Sequence, residues 1–347
     1  MDFLGFEKLL YHPERLERLK EGREQFPLHL TLSLGNYCNH RCLWCTAFEY
    51  QKNKAKQIDK NTLLHFLKTA SKRGTKALGY VGNGEPTAYK DFGSLTHEVA
   101  ELGIQQGIFT NGYLIDRYKE QLINHFTYIR ISLDAGSAEM HSQMHDVPDQ
   151  FNKIIENIAD LVKTKQTELP TVGIQYATHH KNLGDLRKSA HLAKELGVEY
   201  FSIKPVFNRG SVGERIEKNA LAYDDLSPLV FELKKELESS NFKIFFRPHQ
   251  IKSEAANKNI LNYDKCVAGT FNLNVYEDGS LVYCGPHRVS VGNIGDDFDL
   301  IERRIIDLSE KLDLSSCPAG CRYHALNHLV DSFLKPERAA AYHINFI

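Results

Sequence analysis

Cysteine is unevenly placed in this chain. All seven cysteines fall in two groups, Cys38, Cys42 and Cys45 first and Cys266, Cys284, Cys317 and Cys321 later, with none in residues 46–265. Inert buried cysteines would be scattered, so the grouping points to thiolate chemistry on a metal. The first group lies in CNHRCLWC, residues 38–45, at the spacing C-x₃-C-x₂-C. A structural zinc site takes four protein ligands. Three thiolates on one loop instead leave one iron of a [4Fe–4S] cube free to accept a small chelating ligand. His40 could complete a zinc set only by straining the loop between its neighbours. Soft thiolates suit both metals, so spacing alone leaves zinc and iron–sulfur open. The later four form a complete set and leave the same choice.

The bulk composition narrows the setting. Lys and Arg number 43 against 44 Asp and Glu, a net charge of −1 over 347 residues. Such balance gives no electrostatic reason to expect nucleic acid or an anionic membrane as partner. No apolar run approaches the roughly 18 residues of a membrane span. The opening MDFLGFEKLLYHPERLERLKEG is amphipathic and charged, unlike a signal peptide. The expected compartment is the cytoplasm, where structural disulfides are rare. The length suits one large domain with a smaller one.

The elements that must carry these cysteines read as β/α units. Strand-like runs at 28–35, 76–82, 103–110, 128–135, 171–178 and 199–206 alternate with helix-like runs at 58–74, 92–103, 116–126, 151–166 and 182–197. Such alternation predicts parallel strands with right-handed crossovers, curling into a full or partial barrel. Chemistry-bearing residues follow each strand: CNHRCLWC, then GNGEPT (82–87), TNG (110–112), Ser132 and Asp134, His179, His180 and Asn182, and Lys204. The carboxyl edge of parallel strands is where such folds bind ligands. Beyond about residue 240 the pattern changes. FKIFFRP (242–248) reads as a strand, and FNLNVYEDGSLVYC (271–284) as a hairpin with a two-residue turn at Asp278-Gly279. The tail KPERAAAYHINFI (335–347) is read as packing on the barrel or at a dimer contact.

CNHRCLWC, GNGEPT and the Ser132-x-Asp134 pair, in that order, resemble the radical S-adenosylmethionine (radical SAM) superfamily over roughly residues 28–210. Cys266 and Cys284 about Gly279, then VGNIG (291–295) and Cys317-x₃-Cys321, resemble its SPASM/twitch extension in the shorter form with one auxiliary cluster. The resemblance implies an α/β fold, a partial (β/α)₆ barrel of TIM type with a small C-terminal β-hairpin/α domain. Residues 1–27 would be a helical lead-in, 28–235 the core barrel and 236–347 the twitch-type domain. Cys38, Cys42 and Cys45 would hold a [4Fe–4S] cluster that binds S-adenosylmethionine (SAM), cleaved to a 5′-deoxyadenosyl radical that takes a hydrogen atom from substrate. Gly82, Asn83, Gly84, Glu85 and Pro86 would receive the methionyl ammonium, with Glu85 as anionic partner; Asn83 stands where glycine is commoner. Asn111, Ser132 and Asp134 join this cofactor-binding set, the latter two bonding the ribose or the methionyl carboxylate. Trp44 would pack beside the cluster or adenine, or simply in the core.

Six residues before Phe151, many relatives carry an arginine for that carboxylate; here it is His145, with Lys204 or Arg130 as substitutes. The later cysteines would hold an auxiliary [4Fe–4S] cluster, with zinc as the alternative, able to accept an electron and make the net reaction an oxidation. The implied activity is dehydrogenation of a sugar, aminocyclitol or related small molecule, fed by an external donor such as flavodoxin or ferredoxin. A proton acceptor is then needed. His179, Lys204 and His287, with His180, are the candidates. Peptide modification is the competing activity, although only about 27 residues precede the first strand, fewer than the roughly 80 of a leader-binding domain. A plain iron–sulfur electron carrier is the third reading. It leaves the GNGEP and Ser-x-Asp elements without a purpose.

Overall fold

The computed structural model describes residues 5–208, 214–248, 250, 252, 261, 263–315, 317 and 320–335. The tail beyond Lys335 lies outside the described residues, and with it the expectation of a packed or dimer-forming terminus.

Seven parallel strands run in sequence order: β1 (His29–Leu32), β2 (Ala77–Tyr80), β3 (Gln105–Thr110), β4 (Phe126–Ser132), β5 (Thr171–Thr178), β6 (Tyr200–Pro205) and β7 (Lys243–Phe246). Helices such as Lys60–Lys72, Phe92–Glu101, Phe151–Thr164 and Leu186–Glu195 make the crossovers. Asp59 caps the first of these, its carboxylate accepting from the Thr62 N–H at 2.8 Å. Alternate strand residues face the helices and are fully buried: Leu30 and Leu32, Leu78 and Tyr80, Ile129 and Ile131, Ile174 and Tyr176, Phe201 and Ile203. The intervening residues, among them Tyr128, Arg130 and Ser132 on β4 and Tyr200, Ser202 and Lys204 on β6, turn to the other face, the barrel lumen. This is the expected α/β barrel.

Three differences concern the far end. FKIFFRP yields β7, parallel to β6 with Tyr200 opposite Lys243. The helix Tyr223–Leu237 delivers it, so the parallel sheet runs past residue 235. The hairpin strands β8 (Asn272–Val275) and β9 (Ser280–Cys284) do not stand apart either. β8 pairs parallel with β1, His29 opposite Asn272, and β10 (Val289–Asn293) continues from β9, giving one ten-stranded sheet. The expected two-residue turn is a three-residue one. The Tyr276 carbonyl accepts from the Gly279 N–H and the Tyr276 N–H donates to the Ser280 carbonyl, with Gly279 at φ +80°. The left-handed glycine relieves the extra residue, and Glu277 is pushed to the tip.

Glycine in the lumen makes room for rings. A Cβ on Gly173 of β5 would stand 2.2 Å from the Tyr200 ring, and one on Gly107 of β3 2.1 Å from the Tyr128 ring. Gly173→Ala should therefore cost about 1–3 kcal/mol through overpacking. Gly184→Ala, where nothing lies within 4 Å, should leave thermal unfolding unchanged. Equal melting temperatures for the two variants would contradict the packing described.

Candidate active site

The cysteine loop leaves β1 and is pinned by its own backbone. Arg41 and Leu43 N–H groups donate to the carbonyls of His145 and Met144, both at 3.0 Å. Arg215 donates to the Cys42 carbonyl at 3.1 Å and to Asp146 at 2.7 Å. The three thiols face one another closely enough for charge on one to oppose charge on another. Burial pushes Cys38 up to about 12, and the fields of Glu85 and Cys45 add to it. Cys42 rises further, by burial and then by Cys38 and Cys45. Three desolvated, mutually repelling soft donors on one loop fit a cationic iron–sulfur group.

The GNGEP segment lies against this loop. A Cβ on Gly84 would meet the Tyr37 carbonyl oxygen at 2.2 Å and that of Gly35 at 2.8 Å, and one on Gly82 the Ser33 hydroxyl at 2.2 Å. The glycines thus permit close approach of two backbones. Glu85 does not behave as expected. Its Oε1 accepts from the Thr87 N–H and from the hydroxyls of Thr87 and Thr110, and its Oε2 from the Asn111 N–H. A carboxylate with four internal donors is turned inward and is not offered to an ammonium; backbone carbonyls remain for that. Pro86 opens a short 3₁₀ turn beside it. Asn111 donates to Asn39 in the cysteine loop at 2.8 Å.

Two residues that local sequence did not single out complete the seam. Gln51 donates to the Asn83 carbonyl at 2.7 Å and approaches Cys45 Sγ at 3.6 Å. Glu277, at the hairpin tip, accepts from Asn83 Nδ2 at 3.0 Å and from the Ser33 hydroxyl at 2.8 Å. No short-range signal marks Glu277, because its partners lie 194 and 244 residues away.

Ser132 faces the lumen, with Gln175 Nε2 at 3.5 Å. Asp134, at φ +55°, is spent on the scaffold: Oδ1 accepts from the Ala177 N–H at 2.6 Å and Oδ2 stands 3.5 Å from His145 Nε2. His145 itself is buried, not open to a carboxylate. Its Nε2 donates to the Leu133 carbonyl at 3.1 Å, and its Nδ1 meets Cys42 Sγ and His40 Nδ1, each at 3.1 Å. Burial, with the fields of His141 and His40, holds it neutral. Trp44 stacks on His179 with ring centroids 6.3 Å apart and joins a small apolar cluster of Ala177, Val206 and Ile216.

The three candidate bases part company. His179 Nδ1 accepts from the Lys181 N–H and its Nε2 donates to the Glu217 carbonyl, so neither nitrogen is left for a substrate proton. His287 lines the cavity of the later cysteines instead. Lys204 faces the lumen, and among the described residues its amine makes no hydrogen bond or ion pair. Burial lowers it to about 8 against the opposing pull of Asp134.

Cys266, Cys284, Cys317 and Cys321 come from separate segments yet line one cavity with Tyr263, Tyr283 and Tyr323. Burial and the fields of the other three push Cys317 up to about 12. The Asn327 amide donates to Cys266 Sγ at 3.4 Å. Four converging thiols fit a fully ligated metal group.

The Radical SAM superfamily is matched by residues 32–193, and that segment is a radical SAM domain. The chain thus carries a domain of an enzyme superfamily that uses a [4Fe–4S] cluster and SAM as cofactors. It is 23% identical over 272 residues to the AdoMet-dependent heme synthase of Methanosarcina barkeri, spanning 74% of this chain and 76% of that one. It is 30% identical over 149 residues to the GTP 3′,8-cyclase of Haemophilus influenzae. That alignment spans 41% of this chain and under half, 43%, of the cyclase. Among solved structures, Streptococcus suis SuiB bound to precursor peptide SuiA superposes with a TM-score of 0.65 at 18% identity, over 89% of this chain and 70% of that one. Native anSMEcpe with bound AdoMet gives 0.62 at 17%, over 92% and 100%. These two likenesses establish the fold. No helix among the described residues is long and apolar enough to cross a membrane.

Two measurements test the site. Removing the charged acceptor in Glu277→Ala should destabilise by about 1–2 kcal/mol. Its effect should be non-additive with Asn83→Gly in a double-mutant cycle; strict additivity would show that the contact carries no energy. Asp134 has its carboxyl raised from 3.8 to about 6 by burial. Its ionised form therefore opposes folding above pH 6, and the penalty fades as pH falls through 6 toward 4. Asp134→Asn should raise the melting temperature more at pH 8, where the full penalty of about 3 kcal/mol applies, than at pH 5, where about half of it remains. A larger gain at pH 5 would reverse the assignment.

Proposed function

We propose that this enzyme oxidises a hydroxyl-bearing small molecule by hydrogen-atom abstraction, with the later cysteine group as electron acceptor. The observation that carries the reading is the convergence of Cys266, Cys284, Cys317 and Cys321 on one cavity, in addition to the loop of Cys38, Cys42 and Cys45. When bound, the cluster and SAM supply a one-electron reductant and a nucleoside radical able to take hydrogen from an unactivated carbon. An auxiliary cluster on four thiolates has no open corner, so it suits electron transfer and not substrate ligation. Cys38, Cys42 and Cys45 would hold the first group; the glycines at 82 and 84 would bring backbone carbonyls to the methionyl ammonium. Tyr37, half exposed beside the loop, would cover it from water.

Lys204 would take the hydroxyl proton. An amine near 8 on the lumen face is matched to that task at neutral pH. The core barrel and the C-terminal cysteine region would act as two functional units joined by the Glu277 contact. A soluble donor of the flavodoxin or ferredoxin class would deliver the electron to the first group.

The test is anaerobic reconstitution. The intact chain should bind about eight irons, as two [4Fe–4S] groups, and release 5′-deoxyadenosine after reduction. Cys42→Ala should lose about four irons and all SAM cleavage. Cys317→Ala should lose about four irons while keeping SAM cleavage but not substrate oxidation. One zinc with about four irons in the intact chain would remove the electron-acceptor role. Turnover of a precursor peptide in place of a small molecule would favour the peptide-modifying alternative.

A further inference from the structure

Arg130 sits on β4, one pleat below Ser132 and thus deeper in the lumen. It is 9% exposed. Its Nε donates to the Tyr200 hydroxyl at 3.0 Å across the gap left by Gly173. The guanidinium lies over the Phe109 ring at 4.6 Å and faces Tyr200 at 5.5 Å. Among the described residues its two Nη groups make no hydrogen bond, and no carboxylate stands within 4 Å. The two Nη groups are not among the fully buried unpartnered atoms, so this donor fork is open to the lumen and to an oxyanion entering it.

Arg322, next to Cys321, is solvent-exposed. Its Nη2 donates to the Tyr323 hydroxyl at 2.6 Å. Its charge acts on His29 of β1, Tyr128 of β4 and Lys204 of β6, side chains from three lumen-facing strands. It too has no carboxylate partner among the described residues. Among the described residues whose charge acts most on Lys204, Asp134 is acidic and Arg130, Arg247 and Arg322 are basic; the Asp134 oxygens are already engaged by Ala177 and His145. Around Lys204 three arginine charges stand against this one carboxylate, and the Cys321 thiolate offsets part of the charge of Arg322. The methionyl carboxylate of SAM would neutralise at most one of these cations.

We infer that the substrate is an anion, and that Arg130 and Arg322 grip its carboxylate or phosphate group in the lumen between the two cysteine groups. This rests on the radical SAM reading and narrows its substrate class. Arginine is suited to the task, since its planar fork matches both oxyanions in bidentate fashion. The tyrosines at 128 and 200 would flank the bound group, and Lys204 would be left to face the substrate's hydroxyl. A cationic aminocyclitol is disfavoured by the same charge, while an acidic sugar, a sugar phosphate or a nucleotide sugar fits it.

The experiment is calorimetric titration of the reconstituted full-length enzyme, saturated with SAM, using citrate, pyrophosphate and myo-inositol as probes. At least one anion should bind at least tenfold tighter than myo-inositol, and the choice between citrate and pyrophosphate reports carboxylate or phosphate. Arg130→Met and Arg322→Met should each weaken that binding tenfold or more. Arg130→Lys and Arg322→Lys should recover part of it, with iron content and circular dichroism matching the parent. Equal binding of charged and neutral probes, or undiminished anion binding in both methionine variants, would overturn the inference. So would an Arg130→Met protein that loses SAM affinity alone, which would assign Arg130 to the methionyl carboxylate. Absence of SAM cleavage in the parent would instead defeat the underlying reading, and it is measured separately as 5′-deoxyadenosine release.

Discussion

The contact between two backbones at Gly84 governs the rest of the site. The carbonyls of Gly35 and Tyr37 come so close that no side chain fits between them and residue 84. The Glu85 N–H then donates to the Tyr37 carbonyl at 2.9 Å. The first β/α loop is thereby laid on the second. Glu85 carries the chain of support onward, since its carboxylate accepts from Thr110 and Asn111 at the end of β3. Three consecutive loops are bound into one surface by a glycine and one inward carboxylate. A three-thiol loop standing alone would have no fixed geometry, and a cluster needs its donors held in advance.

That inward carboxylate also settles an electrostatic question. Placed in the open, Glu85 would repel the thiolates that must form beside it, and its field already raises Cys38. Saturating it with four donors spreads its charge over the scaffold. The seam is tied again from the far side. Glu277 reaches from the β8–β9 hairpin to Ser33 and Asn83, so the strand that carries Cys284 is joined to the segment that faces the first cysteine loop. Asn83 replaces the smaller residue usual in the motif and gives the hairpin something to hold. A departure from the pattern thus gains a local cause.

The repeating β/α layout was legible in the sequence because period-2 and period-3.6 patterns are local. β5 was legible to the residue, its bounds fixed by Thr171 after a proline and by the histidines beyond Thr178. Both cysteine groups were legible for the same reason, as a spacing. What escaped depends on contacts between distant segments. FKIFFRP has a strand's composition, but its pairing to β6 requires the helix Tyr223–Leu237 to bring it there. The turn at Asp278-Gly279 was assigned one residue short, because a left-handed glycine serves both turn types. His145 and Glu85 were given outward roles by analogy of position. Their buried partners, Leu133 and Cys42 for one and Thr87, Thr110 and Asn111 for the other, turn both inward. Position in a motif fixes where a side chain begins and leaves its direction to packing.

Charge is distributed along the lumen to match a division of labour. At the carboxyl ends of the strands, Lys204 on β6 apart, these polar groups are neutral or internally satisfied: Asn83, Asn111, Ser132, the spent carboxylates of Glu85 and Asp134, and the neutral imidazole of His145. Such a region can receive the zwitterionic methionyl end of the cofactor, whose sulfonium adds one positive charge. Deeper down, Arg130 stands beside Tyr200. A site that stored positive charge next to the first cysteine loop would favour its thiolates but would also compete for the cofactor's carboxylate. Holding Arg130 one pleat below Ser132 separates the two demands. The fields of Arg130 and Arg322 also help to keep Lys204 near 8. An anion bound there would weaken those fields and raise the lysine.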